Sequence, residues 1–94
     1  GQWKAIFQDD GNFVIYGWKP IWASDTCGSD AMRLIMQEDC NLVMYSKCGT
    51  PRWHTNSYRQ GSHISRLQLT DSGQLLVFMD SEELWSSANS RGMK

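Results

Sequence analysis

Two ten-residue stretches of this chain agree at every second residue: F-Q-D-D-G-N-F-V-I-Y from Phe7 and M-Q-E-D-C-N-L-V-M-Y from Met36. Gln8, Asp10, Asn12, Val14 and Tyr16 recur 29 residues on as Gln37, Asp39, Asn41, Val43 and Tyr45. A third stretch, L-T-D-S-G-Q-L-L-V-F from Leu69, keeps the shape 33 residues further along but changes the polar positions. Each copy is trailed by a tryptophan, in P-I-W-A-S, P-R-W-H-T and E-L-W-S-S. Trp22, Trp53 and Trp85 lie 14, 16 and 15 residues after the first motif position. Self-similarity of this kind marks repeat architecture. The chain reads as one domain of three repeats, about 3–26, 32–57 and 65–88.

Within each repeat, polar and apolar residues alternate with period two, the pattern of strands with one exposed face. D-D-G-N, E-D-C-N and D-S-G-Q supply tight hairpin turns, and second turns fall at G-W-K-P, S-K-C-G-T-P and M-D-S-E-E. Each unit is therefore strand, turn, strand, turn, Trp-bearing strand, and no stretch has useful helical periodicity. The fold class is all-β. Three such small sheets cannot bury their inner faces singly, so they must pack around a common axis. Trp22, Trp53 and Trp85 are the residues placed to fill it.

At 94 residues the chain is near the lower limit for a self-sufficient core, where a disulfide, metal or partner chain often helps. Cys27, Cys40 and Cys48 allow one disulfide with one thiol over, in any of three pairings, and a disulfide would suit an extracellular setting. The net charge of −1 and scattered basic residues give no attraction for nucleic acid. No apolar run approaches the roughly 20 residues of a membrane span. No signal peptide is visible, and a start at Gly1 fits a chain processed or cut from a longer one.

Gln, Asp, Asn, Val and Tyr at alternate positions share one face of the hairpin, while Phe13, Ile15, Leu42 and Met44 face the core. The outward face is a shallow groove carrying two amides, a carboxylate, a methyl-bearing patch and a phenol. Sugar hydroxyls both donate and accept, so a carboxylate beside amides serves adjacent hydroxyls, and Val serves a C–H face. The bland alternative is an ordinary solvent face. Two copies identical at all five positions argue against it.

The pattern Q-x-D-x-N-x-V-x-Y, repeated with its trailing W-A-S or W-x-T, resembles the mannose-binding motif of the bulb-type (B-lectin, snowdrop-type) lectins, closest to their fish skin-mucus branch. The resemblance runs from about Trp3 to Trp85. It implies a β-prism II fold: three antiparallel sheets around a pseudo-threefold axis with a central Trp cluster. It implies that Asp10 and Asn12 bind the axial 2-hydroxyl of mannose, Gln8 the 3-hydroxyl and Tyr16 the 4-hydroxyl, with Val14 against ring carbons. Gln37, Asp39, Asn41, Val43 and Tyr45 would form the second site. The resemblance implies that no calcium, metal or other cofactor is required. The implied protein is a secreted or mucus mannose-binding lectin of innate defence, recognising mannose-rich glycans on microbes or parasites.

The chain departs from that pattern in three places. The third repeat carries Thr70, Ser72, Gln74, Leu76 and Phe78, without carboxylate or phenol, so its site reads as dead or much weaker. Plant members pair the cysteine at the Cys40 position with one about 23 residues later, where this chain has His63. Only seven residues precede Gln8, which suggests a missing first strand and an edge covered by residues 86–94 or by a second chain, hence a homodimer.

A metal site from Cys27, Cys40, Cys48, His54 and His63 lacks any supporting spacing. No catalytic set has supporting context, so the chain is not read as an enzyme. Trp3 and Trp18, outside the axial set, read first as core residues and second as an exposed aromatic contact near the first site, and Arg52, Arg59 and Arg66 read as solvated charges. The competing function is a protein-interaction module on a lectin scaffold that has lost sugar binding.

Overall fold

The computed structural model describes residues 2–61 and 63–89. Nine strands run in sequence: β1 (Lys4–Phe7), β2 (Phe13–Tyr16), β3 (Pro20–Ala23), β4 (Ala31–Met36), β5 (Leu42–Ser46), β6 (Pro51–His54), β7 (Ser65–Leu69), β8 (Leu75–Met79) and β9 (Glu82–Ser86). A single 3-10 turn follows at Ser87–Asn89. The strands form three separate antiparallel sheets, ordered β1-β2-β3, β4-β5-β6 and β7-β8-β9. The strand–turn–strand–turn–strand reading of each repeat is what the chain adopts. No helix among the described residues is long and apolar enough to cross a membrane.

The first sheet is complete. β1 occupies Lys4–Phe7 and pairs with β2 from Lys4↔Tyr16 to Phe7↔Phe13, so the expected missing strand is a misreading. Four residues suffice for a short edge strand, and they fit within the seven that precede Gln8. Residues 90–94 of the proposed covering tail lie outside the described residues; Ser86 ends β9 and Ser87–Asn89 form the short turn.

Each middle strand is buried at its inward positions, Phe13 and Ile15, Leu42 and Met44, Leu75 and Val77, which form the core cluster. Trp22, Trp53 and Trp85 meet one another edge-to-face, with ring centroids 5.7, 5.6 and 5.9 Å apart. That arrangement suits their quadrupoles and closes the axis. Phe13 adds its edge to Trp22 at 6.1 Å and to Trp53 at 6.5 Å.

The turn joining the first two strands is built alike in every sheet. Gly11, Cys40 and Gly73 donate their N–H to the carbonyls of Gln8, Gln37 and Thr70, at 3.0, 3.1 and 3.1 Å. All three take left-handed backbone angles, φ 83°, 72° and 83°. A side chain at Gly11 would sit 2.4 Å from Ser29 Oγ, so glycine is required there. Cys40 carries its side chain in this strained position and is fully buried. All three cysteines are free thiols, so the expected disulfide is not formed. Burial, with the charges of Asp80 and Asp39 behind it, pushes the Cys40 thiol pKa up.

Trp3 is partly buried and ties the first sheet to the third. Its Nε1 donates to the Asp71 carbonyl at 2.8 Å, and its ring lies against Gly17 and Gly73. Trp18, expected in the core, is instead fully exposed on the turn between β2 and β3. Arg52 is not simply solvated: it makes a two-pronged pair with Asp30 at 2.7 and 2.9 Å, which holds that carboxyl below its usual range. Arg66 lies 4.6 Å from the Phe78 ring centroid, and Arg59 donates to the Tyr58 carbonyl.

Candidate functional site

In the first two sheets the five motif residues sit at one end and along one outer face. Gln8 follows β1, Asp10 and Asn12 belong to the turn, and Val14 and Tyr16 lie on β2. Gln37, Asp39, Asn41, Val43 and Tyr45 occupy the same places around β4 and β5. The register slips between Ile15 and Tyr16 and between Met44 and Tyr45, so each tyrosine follows a bulge opposite the third strand.

The carboxylates are anchored by the turn itself. Asp10 Oδ1 accepts the Asn12 N–H at 3.0 Å, and Asp39 Oδ1 accepts that of Asn41 at 3.0 Å. The Gln8 side-chain amide contacts the Tyr16 hydroxyl, and that of Gln37 contacts the Tyr45 hydroxyl. In the second motif the amide orientation that satisfies every partner lets Gln37 accept from Tyr45 and donate to Asp39 at 3.1 Å. Carboxylate, amide and phenol of that motif then form one polar chain.

The asparagines are held from behind by Ser24 and Thr55, which the sequence reading used only as markers of the repeat, and by Thr26 and Ser57, which it did not single out. Asn12 Oδ1 accepts the Thr26 N–H at 3.1 Å, and Asn41 Oδ1 accepts the Ser57 N–H at 3.2 Å. The Ser24 hydroxyl lies 2.7 Å from Thr26 Oγ1 and 3.2 Å from Asn12 Oδ1; Thr55 lies 2.6 Å from Ser57 Oγ and 3.3 Å from Asn41 Oδ1. Thr26 and Ser57 also donate to the Gly11 and Cys40 carbonyls, each at 2.6 Å. With Oδ1 taken by the protein, the Nδ2 group is left to donate outward.

Ser24, Thr55 and Ser87 further accept the N–H groups of Phe13, Leu42 and Leu75, at 3.0, 3.1 and 2.9 Å. The hydroxyl residue two places after each axial tryptophan therefore caps the start of each middle strand. Thr55→Val keeps the shape but orphans the buried Leu42 N–H, an expected loss of about 1–3 kcal/mol. A urea midpoint unchanged from wild type would contradict this, and Thr55→Ser is expected to restore most of it.

The valines depart from expectation. Val14 and Val43 are only 3% and 4% exposed. They are covered because cross-strand neighbours on the same face crowd them: Ile6 and Ala23 beside Val14, Ile35 and His54 beside Val43. Ile6 and Ile35, about 40% and 39% exposed, leave apolar surface open beside the two valines. Neither was singled out in the sequence.

The two motifs have different surroundings. Cys27 donates its thiol to Asp10 Oδ2 at 3.3 Å, and that bond and charge raise the thiol's pKa. The corresponding loop of the second motif carries Tyr58 and Arg59 instead, although the backbone bond is shared: the Arg59 main-chain N–H bonds the Asp39 carbonyl at 2.7 Å as that of Gly28 bonds the Asp10 carbonyl at 2.6 Å. Arg33 lies 6.0 Å from the Tyr45 ring centroid, while Lys4 is paired with Tyr16.

At the third motif the two hydroxyl side chains satisfy each other. Thr70 Oγ1 lies 3.0 Å from Ser72 Oγ and accepts the Gln74 N–H at 3.1 Å. Leu76 is nearly buried, Arg66 covers the Phe78 ring, and Trp3 packs on Gly73.

Among the described residues no group of three or more His, Cys, Asp or Glu could hold a metal. His54 Nδ1 accepts the Asn56 N–H, and His63 lies 3.6 Å from Asp80, so the two histidines serve separate loops.

Three antiparallel sheets closed by one tryptophan from each, with a polar motif on their outer faces, define the β-prism II class of carbohydrate-binding scaffold. No family model matches the chain. It is 56% identical over 94 residues to the B-type lectin plumieribetin of Scorpaena plumieri, covering all of this chain and 83% of that one. Its structure resembles a monomeric monocot mannose-binding lectin from Gastrodia elata, with TM-score 0.82, 33% identity and coverage of 94% and 81%. It also resembles the mannose-specific snowdrop (Galanthus nivalis) agglutinin complexed with methyl-α-D-mannoside, with TM-score 0.74, 33% identity and coverage of 83% and 72%. The chain belongs to the bulb-type, or B-type, mannose-binding lectin family. Its relatives are lectins, not enzymes.

Proposed function

We propose that the protein binds mannose-rich glycans without calcium through two sites, Gln8–Asp10–Asn12–Val14–Tyr16 and Gln37–Asp39–Asn41–Val43–Tyr45, each within one of three repeats of a single domain. The observation that carries this reading is the backing of both asparagines: equivalent buried residues, Ser24 with Thr26 and Thr55 with Ser57, fix each Oδ1 through one hydroxyl and one backbone N–H, leaving Nδ2 to donate from the turn that anchors the carboxylate. Two adjacent groups, one donating and one accepting, match a hydroxyl that does both. Each valine forms the floor, with Ile6 or Ile35 as the exposed apolar margin. The third motif lacks the carboxylate and the phenol, pairs its Thr70 and Ser72 hydroxyls with each other, and is inactive in this reading.

Each site is shallow and polar, so a monosaccharide is expected to bind near the millimolar range, about −4 kcal/mol. Branched glycans on microbial or parasite surfaces would gain by engaging several sites at once. That use belongs to an extracellular, defensive protein. Pairing into a homodimer would double the sites; its ground is this avidity, since β1 removes the missing-strand argument. Sedimentation of a stable monomer at micromolar concentration would remove the dimer from the proposal.

The test is calorimetric titration with methyl α-mannoside in EDTA, with galactose as control. Saturable heat with mannoside alone supports the reading. Silence at tens of millimolar would favour the module that has kept the scaffold and lost the sugar.

A further inference from the structure

We propose that the first site continues into an aromatic subsite, built on Trp18, that takes a second sugar ring of the same glycan; the proposal rests on the mannose reading of Gln8–Tyr16. A groove of about 880 Å³ runs from Gln8 and Tyr16 past Lys4 and Ile6 to Trp3 and Trp18. Two of its walls are thus motif residues, and its far end is aromatic. The volume lies within the roughly 300–1,000 Å³ typical of small-molecule clefts, so it has room beyond a ring held at the motif.

Trp18 has no role in the core. It stands on the turn after β2, where the Gly17 N–H bonds the Lys19 carbonyl at 3.0 Å, and its side chain is fully exposed. An indole presents a large apolar face at little entropic cost, and leaving it in water is unfavourable unless something covers it. Trp3 forms the opposite wall and is fixed by its bond to the Asp71 carbonyl. It approaches the turn only because position 17 is glycine: a Cβ there would come within 2.6 Å of the Trp3 ring. Two indoles, one fixed and one free to stack, with the Lys4 ammonium and Gln8 amide along the edge, suit the C–H faces and hydroxyl rim of a pyranose.

The second motif lacks this construction. By the motif alignment Lys47 stands in place of Trp18, Ser46 in place of Gly17 and Met32 in place of Trp3. The two sites therefore differ in what they accept: the second takes a terminal mannose, the first a mannose with its neighbour.

The experiment uses protein carrying Asp39→Ala, so that only the first site is read, titrated with methyl α-mannoside and with α1→2, α1→3 and α1→6 mannobiosides. At least one mannobioside is expected to bind about tenfold tighter than the monosaccharide, or about 1.4 kcal/mol, with a change in tryptophan emission. Adding Trp18→Ala is expected to bring that disaccharide within about twofold of the monosaccharide while methyl α-mannoside binds as before. Equal affinity for all four sugars, or an advantage that survives Trp18→Ala, overturns the subsite. Loss of the monosaccharide itself on Trp18→Ala would assign Trp18 to the primary site and overturn it too. If sedimentation without sugar shows Trp18→Ala dissolving a dimer, the groove belongs to a second copy and the subsite falls. No methyl α-mannoside binding by the unmutated protein overturns the mannose reading itself, a result distinct from all of these.

Discussion

Replacing Asp10 and Asp39 together by alanine is expected to abolish mannoside binding while leaving the protein folded. Each carboxylate in the proposed site supplies charge-assisted hydrogen bonds worth about 1.5–3 kcal/mol, so its loss weakens its own site by more than about tenfold. Starting from millimolar affinity, that pushes the dissociation constant above about 10 mM, so the heat is lost at mannoside concentrations that saturate the unmutated protein. Either single variant should halve the stoichiometry and leave the remaining site's affinity nearly unchanged, because the motifs lie on separate sheets. The structural cost is small: the Asp10–Asn12 turn bond is exposed and the Asp39–Asn41 bond only partly buried. Far-ultraviolet circular dichroism identical to wild type, with calorimetric silence, is the expected pair of results. Undiminished binding in the double variant would contradict the site assignment.

The second large effect concerns the axis. Trp53 is 5% exposed and touches Trp22, Trp85 and Phe13. Trp53→Ala is expected to cost about 3–5 kcal/mol through lost transfer energy and the cavity left behind. For a domain of this size each kcal/mol lowers the melting temperature by about 4–8 °C, so the midpoint should fall by at least about 12 °C. A total stability of about 5–15 kcal/mol leaves a variant that is folded but marginal in the cold. Trp53→Phe should recover part of the loss. A drop of only a few degrees on Trp53→Ala would mean that the three sheets are held by something other than their shared tryptophans.

The repeat made the architecture legible, because Trp22, Trp53 and Trp85 do one job from three equivalent places and so had to be spaced alike. Alternation also gave the faces of β2 and β5 correctly, with Phe13 and Met44 inward. It could not give depth: Val14 and Val43 face outward yet are covered by Ile6 and Ile35, a matter of cross-strand register rather than of period. Counting residues before Gln8 misjudged β1, since a four-residue strand needs little chain. Ser24, Thr26, Thr55 and Ser57 were visible as letters after the tryptophans, but their bonds to Asn12 and Asn41 require the loop to fold back over the turn. Trp18 failed for a related reason. Hydrophobicity placed it inside, whereas its position on a tight turn left it nothing to pack against.

The most direct test is to label the side-chain amides with nitrogen-15 and follow them by NMR during titration with methyl α-mannoside. The account predicts that the amides of Gln8, Asn12, Gln37 and Asn41 shift and saturate, that the two motifs respond independently, and that Gln74 stays still. Shifts confined elsewhere on the protein, or a Gln74 response equal to the others, would contradict the two-site account.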